Sequence, residues 1–189
     1  YVNGEQQIWR IVRVPTVEQE DIRRMNRERQ RLLKEKTGHT NRIKSLMVTQ
    51  GIKIQIGPNL VKCLDQLELW NGEKLQPHLK KEIVREYERY EKIKEQIKEL
   101  ESDKKEFLES DHEQARKIHA LENLKGVGPV SSFILTNEYF YRDFDNVKQV
   151  GAAAGLTPTP FSSGDIQKEQ GISKAGVGRV RTIMVELSW

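Results

Sequence analysis

One cysteine, Cys63, stands alone among 189 residues, which rules out an internal disulfide and any cysteine-built zinc site. The four histidines, His39, His78, His112 and His119, are scattered without metal-ligand spacing and read as surface or interhelical residues, so no metal site is expected in this chain. No apolar run is long enough to cross a bilayer, and no basic start followed by an apolar stretch reads as a secretion signal. A cytoplasmic protein with no membrane partner is the default expectation. No Gly-x-Ser-x-Gly elbow occurs, and no histidine lies near the serine-rich turn at Ser162, which argues against a hydrolase triad. Hydrophobic residues make up only 36% of the chain, enough for one or two small domains with limited cores.

What is abundant is charge of both signs: 32 Lys and Arg against 28 Asp and Glu, for a net charge of +4. So small a net charge conceals local segregation. The pattern predicts a helix from Thr16 to about Met47, with Thr16 as its cap and Glu18, Glu20 and Asp21 favoured at the positive end of the helix dipole. Ile22, Met25, Leu32, Ile43 and Leu46 mark an apolar seam that Arg29, Lys36 and His39 interrupt. Arg23, Arg24, Arg27, Arg31, Lys34, Arg42 and Lys44 make this helix strongly basic. Gly51 ends it, and a connector over 52–77, punctuated by Gly57-Pro58-Asn59 and Asn71-Gly72, follows. Pro77 then opens a second helix from about Leu79 to Leu121. Its Ile83, Tyr90 and Ile97 repeat at seven-residue spacing, with Ile93, Leu100 and Phe107 as a second seam, and its outer faces carry slightly more acid than base. The expected architecture is mostly α: a long helical coiled-coil hairpin over 16–121, then a small helical domain over 122–189 with helices near 114–124, 130–139, 145–154 and 175–187. Pairing between two molecules is the competing topology for the long helices. Tyr1 is not a methionine and Trp189 ends a helical pattern without a cap, so 1–15 reads as the tail of a preceding domain and the last domain as cut short.

Within the last domain, Lys125-Gly126-Val127-Gly128-Pro129 reads as the turn of a helix-hairpin-helix, whose amides and helix start suit a DNA phosphate; a plain interhelical turn is the alternative. Phe140, Tyr141 and Phe144 read as core. Asp143 and Asp145 do not read as a metal pair, since Asp145 can cap a helix. Gly155 reads as a helix stop, and Leu156-Thr157-Pro158-Thr159-Pro160 as a stiff extended segment. Ser162-Ser163-Gly164 follows as a turn, with Asp165, Lys168 and Glu169 in a flexible loop. Lys168, Lys174, Arg179 and Arg181 could hold a phosphate beside that turn. On composition alone, turn-forming serines beside a solvated basic patch are the favoured reading.

Gly126-x-Gly128-Pro129, Ala154-Gly155-Leu156-Thr157-Pro158, Ser163-Gly164 and Ile172-Ser173-Lys174 with Gly178, Arg179 and Arg181 occur in order. Together they resemble the carboxy-terminal domain of the bridge-RNA-guided serine recombinases, a family of bacterial insertion-sequence transposases. Arg13-Val14-Pro15 and Thr37 to Lys44 resemble the family's segment linking its two catalytic domains. The resemblance implies that Ser163, with Ser162 as runner-up, attacks a DNA phosphodiester and forms a covalent phosphoserine. It implies donor and target DNA as substrates, contacted by Lys125, Gly126, Gly128, Lys168, Lys174, Arg179 and Arg181. It also implies a bridge RNA, held by Arg23, Arg24, Arg27, Arg31, Lys34, Arg42 and Lys44, and assembly as dimers that pair into tetramers in the bacterial cytoplasm. Mg2+ is expected in a RuvC-like domain with four acidic residues before Tyr1, not on this chain. The fragment alone is therefore expected to bind nucleic acid without turnover. A nonenzymatic nucleic-acid-binding module and a structural coiled-coil adaptor are the alternatives.

Overall fold

A computed structural model describes residues 13–163 and 166–189, with the side chains of 162–168 left aside. The apolar run Ile8 to Val12 and the Gly164 and Asp165 positions of the serine turn lie outside the described residues. The order is α1 (Val17–Val48), α2 (Leu60–Leu64), α3 (Pro77–Glu109), α4 (Glu113–Glu122), α5 (Pro129–Ile134), a π-helical turn (Leu135–Tyr139), α6 (Val147–Ala153), β1 (Pro158–Ser163), β2 (Ile166–Ile172) and α7 (Gly178–Leu187). The chain divides into two compact units, Arg27–Glu106 and the remainder.

Local chemistry accounts for most of these boundaries. The Thr16 hydroxyl accepts from the Gln19 amide while Gln19 Oε1 accepts from the Thr16 amide, a reciprocal capping box that starts α1. Gly51, at φ +75°, donates its amide to the Val48 carbonyl and ends that helix.

The unit Arg27–Glu106 is an antiparallel helix pair. Arg29 near one end meets Glu101 at 2.8 Å, whereas Arg42, thirteen positions on, meets Glu86 at 3.0 Å. Between these, Leu32 packs with Ile93 and Ile97. Ile43 and Met47 pack with Ile83 and Tyr87, and Leu60, Leu64 and Leu75 of the connector close over them. In this chain the two long helices pair with each other. The seam contains a charged cluster: Glu86 is 5% exposed and takes up His39 Nδ1 at 2.6 Å, Arg42 Nη1 at 3.0 Å and Arg89 Nη1 at 2.5 Å. Burial presses the carboxyl upward, but hydrogen bonds from His39 and Arg42 and the charge of Arg42 outweigh it and hold Glu86 below its ordinary 4.5. Glu86→Ala would leave two guanidinium groups and an imidazole facing an empty position. Because both arginines are half exposed, the expected loss is about 2 kcal/mol, below the usual cost of breaking a buried pair.

A depressed folded pKa means that this contribution is complete above pH ~4.5 and is lost as pH falls through the folded value. In denaturant titrations, the stability gap between wild type and Glu86→Gln should therefore narrow on acidification below pH ~4.5. A gap that does not change with pH would refute the assignment.

The second unit is built from residues up to Asn26 together with Phe107 to Trp189. Ile134, Leu135, Tyr139, Ala154, Val180 and Ile183 form its main core, with Phe140 and Phe144 packed against it. Tyr139 and Phe144 stack at 5.0 Å between ring centres; Phe140 and Phe144 pack on the core as expected, whereas Tyr141 is not part of it and stacks on Arg23 instead. Ile22, Ile118 and Phe133 form a smaller cluster.

Four details depart from the sequence-based expectation. The second long helix is not continuous to Leu121; it ends at Glu109, and a new helix begins where His112 Nδ1 accepts the Gln114 amide. The cap of α6 is Asn146, whose side chain accepts the Gln149 amide, while Asp145 only bonds the Gln149 side chain. The helix over 130–139 loosens into the π turn from Leu135. Finally, the stretch expected as a stiff segment, a serine turn and a flexible loop forms an antiparallel two-stranded sheet, β1 with β2. Prolines at 158 and 160 argue against a strand inside a sheet, but among the described residues each strand has a free edge, where a missing amide is tolerated. Between those prolines the register shifts, and Gly171 at φ +77° supplies the extra residue of a bulge.

Candidate functional site

The hairpin β1–β2 leaves and re-enters the domain at one crossing. The Lys174 amide donates to the Gly155 carbonyl at 3.1 Å and the Ser173 amide to the Thr157 carbonyl at 2.9 Å. Gly155 has φ +73°, and a Cβ there would stand 1.9 Å from the Ala175 carbonyl oxygen. Gly176 has φ +91°, and its Cβ would stand 2.2 Å from the Ala153 carbonyl oxygen. The end of α6 and the Ser173–Gly176 turn thus cross backbone against backbone, which only glycine at both positions permits. Lys174 itself sits at φ +55° and is exposed.

From this crossing β1 runs outward to Ser162 and Ser163, which pair in register with Gln167 and Ile166. Five strand steps separate Pro158 from Ser163, about 17 Å. The serine positions are therefore held at the far end of a short ribbon whose base is locked. The side chains of Ser162, Ser163 and Lys168 lie outside the described residues.

Immediately after the crossing, α7 presents Arg179. Its Nη1 lies 2.5 Å from Glu138 Oε1, with the carboxylate 8% exposed and the arginine 34% exposed. One nitrogen of the guanidinium is fixed by a buried acid on the π turn, while a third of the side chain still faces solvent. Arg181 is half-buried, and its Nη1 is buried without a hydrogen-bond partner. Lys125 is exposed in the turn between α4 and α5. There Gly126 has φ +90°, Gly128 caps α5, and Pro129 occupies the first helical position, where its missing amide costs nothing.

The basic residues expected along α1 are split between the two units. Arg23 faces inward, 6% exposed: its Nε donates to the Asn137 carbonyl at 2.6 Å, it pairs with Glu20 at 3.1 Å, and it stacks 4.2 Å from the Tyr141 ring centre. The expected phosphate contact at Arg23 is thus replaced by an interior role, because the first turns of α1 pack against the segment around Asn137. Arg24 is exposed, 3.8 Å from Asp21. Arg27, Arg31, Lys34 and Lys44 are exposed in the other unit, where Arg42 joins Glu86. Three participants escaped sequence reasoning: Glu86, Arg89 and Glu138. For Glu138 a signal was present, a lone acid in the otherwise uncharged run from Phe133 to Tyr141.

Among the described residues, no group of three or more His, Cys, Asp or Glu side chains could hold a metal ion, and no helix is long and apolar enough to cross a membrane.

Residues 118–189, which contain the crossing, the hairpin and α7, match the model for the transposase IS116/IS110/IS902 family. A protein of Sinorhizobium fredii named as the transposase y4rJ is 38% identical over all of this chain and 50% of its own length. The transposase for insertion sequence element IS1328 of Yersinia enterocolitica is 26% identical over 90% of the chain and 50% of its own length. The transposase for insertion sequence element IS1111A of Coxiella burnetii is 26% identical over 93% of the chain and 48% of its own length. The chain thus spans about half the length of the curated relatives it matches.

Proposed function

From the premise that the chain belongs to the IS116/IS110/IS902 transposase family, we propose that it is part of a site-specific DNA recombinase in which Ser163 becomes covalently linked to DNA. The observation that carries this reading is the locked ribbon inside the matched residues, which holds the Ser163 position about 17 Å from the domain body. The Ser163 oxygen would attack a backbone phosphorus; the new P–O bond forms as a bond to one deoxyribose oxygen breaks, and that oxygen leaves with the proton the serine gives up. Strand exchange reverses the step on a second end. Arg179, oriented by Glu138, and the exposed Lys174 are the cations suited to the charge developing on the phosphate oxygens. Arg181 and Lys168 extend that set, and Lys125 with the Gly126 and Gly128 amides would seat a flanking phosphate as a helix-hairpin-helix does.

The antiparallel pair is read as a coiled-coil arm that joins subunits into dimers and tetramers. The exposed bases Arg24, Arg27, Arg31, Lys34 and Lys44, with Arg42, are read as contacts for the bridge RNA that selects donor and target. Mg2+ is read as held by the four acidic residues of a RuvC-like domain that the resemblance places before Tyr1, so no step is routed through it here. The chain alone is proposed to bind nucleic acid without turnover, in the bacterial cytoplasm.

The test is to incubate the full-length protein with its RNA and DNA, quench with denaturant and map the adduct by mass spectrometry. A nucleotide remnant on Ser163 is expected. No adduct, or one confined to Ser162, would refute the assignment.

A further inference from the structure

The helix α3 has slightly more acid than base, yet one of its faces is basic. Lys81, Arg85 and Arg89 follow one another at four-residue steps and are all exposed, which places them in one row on the helix surface. Lys81 and Arg85 also line a shallow groove with Pro77, Lys80 and Val84. Eight residues separate the ends of the row, about 12 Å, or roughly three to four phosphate rises of one nucleic-acid strand.

The row is joined to α1 through Glu86. That carboxylate is 5% exposed, whereas the Arg42 and Arg89 side chains it holds are each 55% exposed. One nitrogen of each guanidinium is bonded to Glu86, from opposite helices, and the side chains continue outward into solvent. Arginine forks fixed in this way are prepared for phosphate, because less side-chain freedom is lost on binding. An acid that served only to set helix register would not need a row of further cations beside it.

We infer that Arg42 and Arg89, held by the buried Glu86, form with the neighbouring Lys81 and Arg85 a site on the arm for a phosphodiester backbone. This rests on the nucleic-acid reading above and adds to it a surface on α3.

The experiment measures binding of an RNA duplex and a DNA duplex of equal length and sequence to the 189-residue chain, by fluorescence anisotropy over a range of salt. Arg85→Ala together with Arg89→Ala should lower affinity about tenfold and make the slope of log K against log salt shallower by about one to two. The duplex that suffers the larger loss identifies the source of the backbone. Arg89→Lys should keep the slope while losing a few-fold in affinity, since it retains charge without the fork. Arg85→Ala alone, outside the Glu86 cluster, should act in the same direction, and it guards against failure of the double variant to fold. Unchanged affinity and slope in both the double alanine variant and Arg85→Ala overturn the site while leaving the serine chemistry standing. A wild-type chain with no salt-dependent affinity for either duplex overturns the site together with the nucleic-acid reading.

Discussion

Ser163→Ala in the full-length protein is expected to abolish the covalent protein–DNA adduct and to lower strand transfer by roughly 10⁴-fold or more, the scale seen when an enzyme loses its nucleophile. Ser162→Ala should retain most activity. The two serines are neighbours in sequence but sit opposite Gln167 and Ile166 in the ribbon, and consecutive strand positions belong to opposite faces. A gel assay for strand transfer with adduct trapping reads both effects. Equal losses in the two variants would mean that the ribbon's integrity, not a nucleophile, had been measured. A second probe separates these outcomes: Glu138→Gln should slow adduct formation while leaving the adduct on Ser163, because it loosens Arg179 without removing the attacking oxygen.

Gly155→Ala is expected to cost about 4 kcal/mol or more of stability, at the exceptional end for a single methyl group. Two penalties coincide at that position. The backbone occupies the left-handed region at φ +73°, and the new Cβ would stand 1.9 Å from a carbonyl oxygen and 2.8 Å from the Ala175 nitrogen, atoms of main chain that have no rotamer to escape into. Gly176→Ala should behave alike, with its clash at 2.2 Å from the Ala153 oxygen. Gly171→Ala is the internal control, since it shares the left-handed backbone at φ +77° but has nothing within 4 Å. It should cost only about 1–2 kcal/mol. Chemical denaturation of the three variants checks the ordering; a Gly155→Ala penalty no larger than that of Gly171→Ala would show that the crossing is loose.

Much of the helical framework was legible because its boundaries are written in local chemistry. Thr16, Gly51, Pro129 and Gly155 each end or start a helix within a few residues of themselves, so a reader of the chain finds them, though not the Gln19 side chain that completes the Thr16 cap. The break at Ser110 was missed because its cause, a histidine used as a cap, resembles an ordinary polar position. The ribbon was missed for a different reason. Its pairing is between segments, and its most visible residues, Pro158 and Pro160, oppose strands wherever two neighbours flank them. Arg23 and Glu86 show a third limit. Charge marks a residue as exposed by default, and only the partners, the Asn137 carbonyl for one and His39, Arg42 and Arg89 for the other, explain why these two turn inward. Ser163 stood out through resemblance to a family pattern, not through anything its neighbours in sequence require.

The shared crossing at the base of the ribbon also changes what insertion and loss should do to this protein. A segment whose two ends are already held side by side is a side branch of the chain, and the entropy of closing it does not have to be found again when its length changes, beyond a slow logarithmic term. Residues 158–172 should therefore be exchangeable for a ribbon of another length or tip sequence with the helices around them still folding. Variation among relatives would then accumulate at the tip, and the reach and chemistry of the domain could diverge while its body stayed the same.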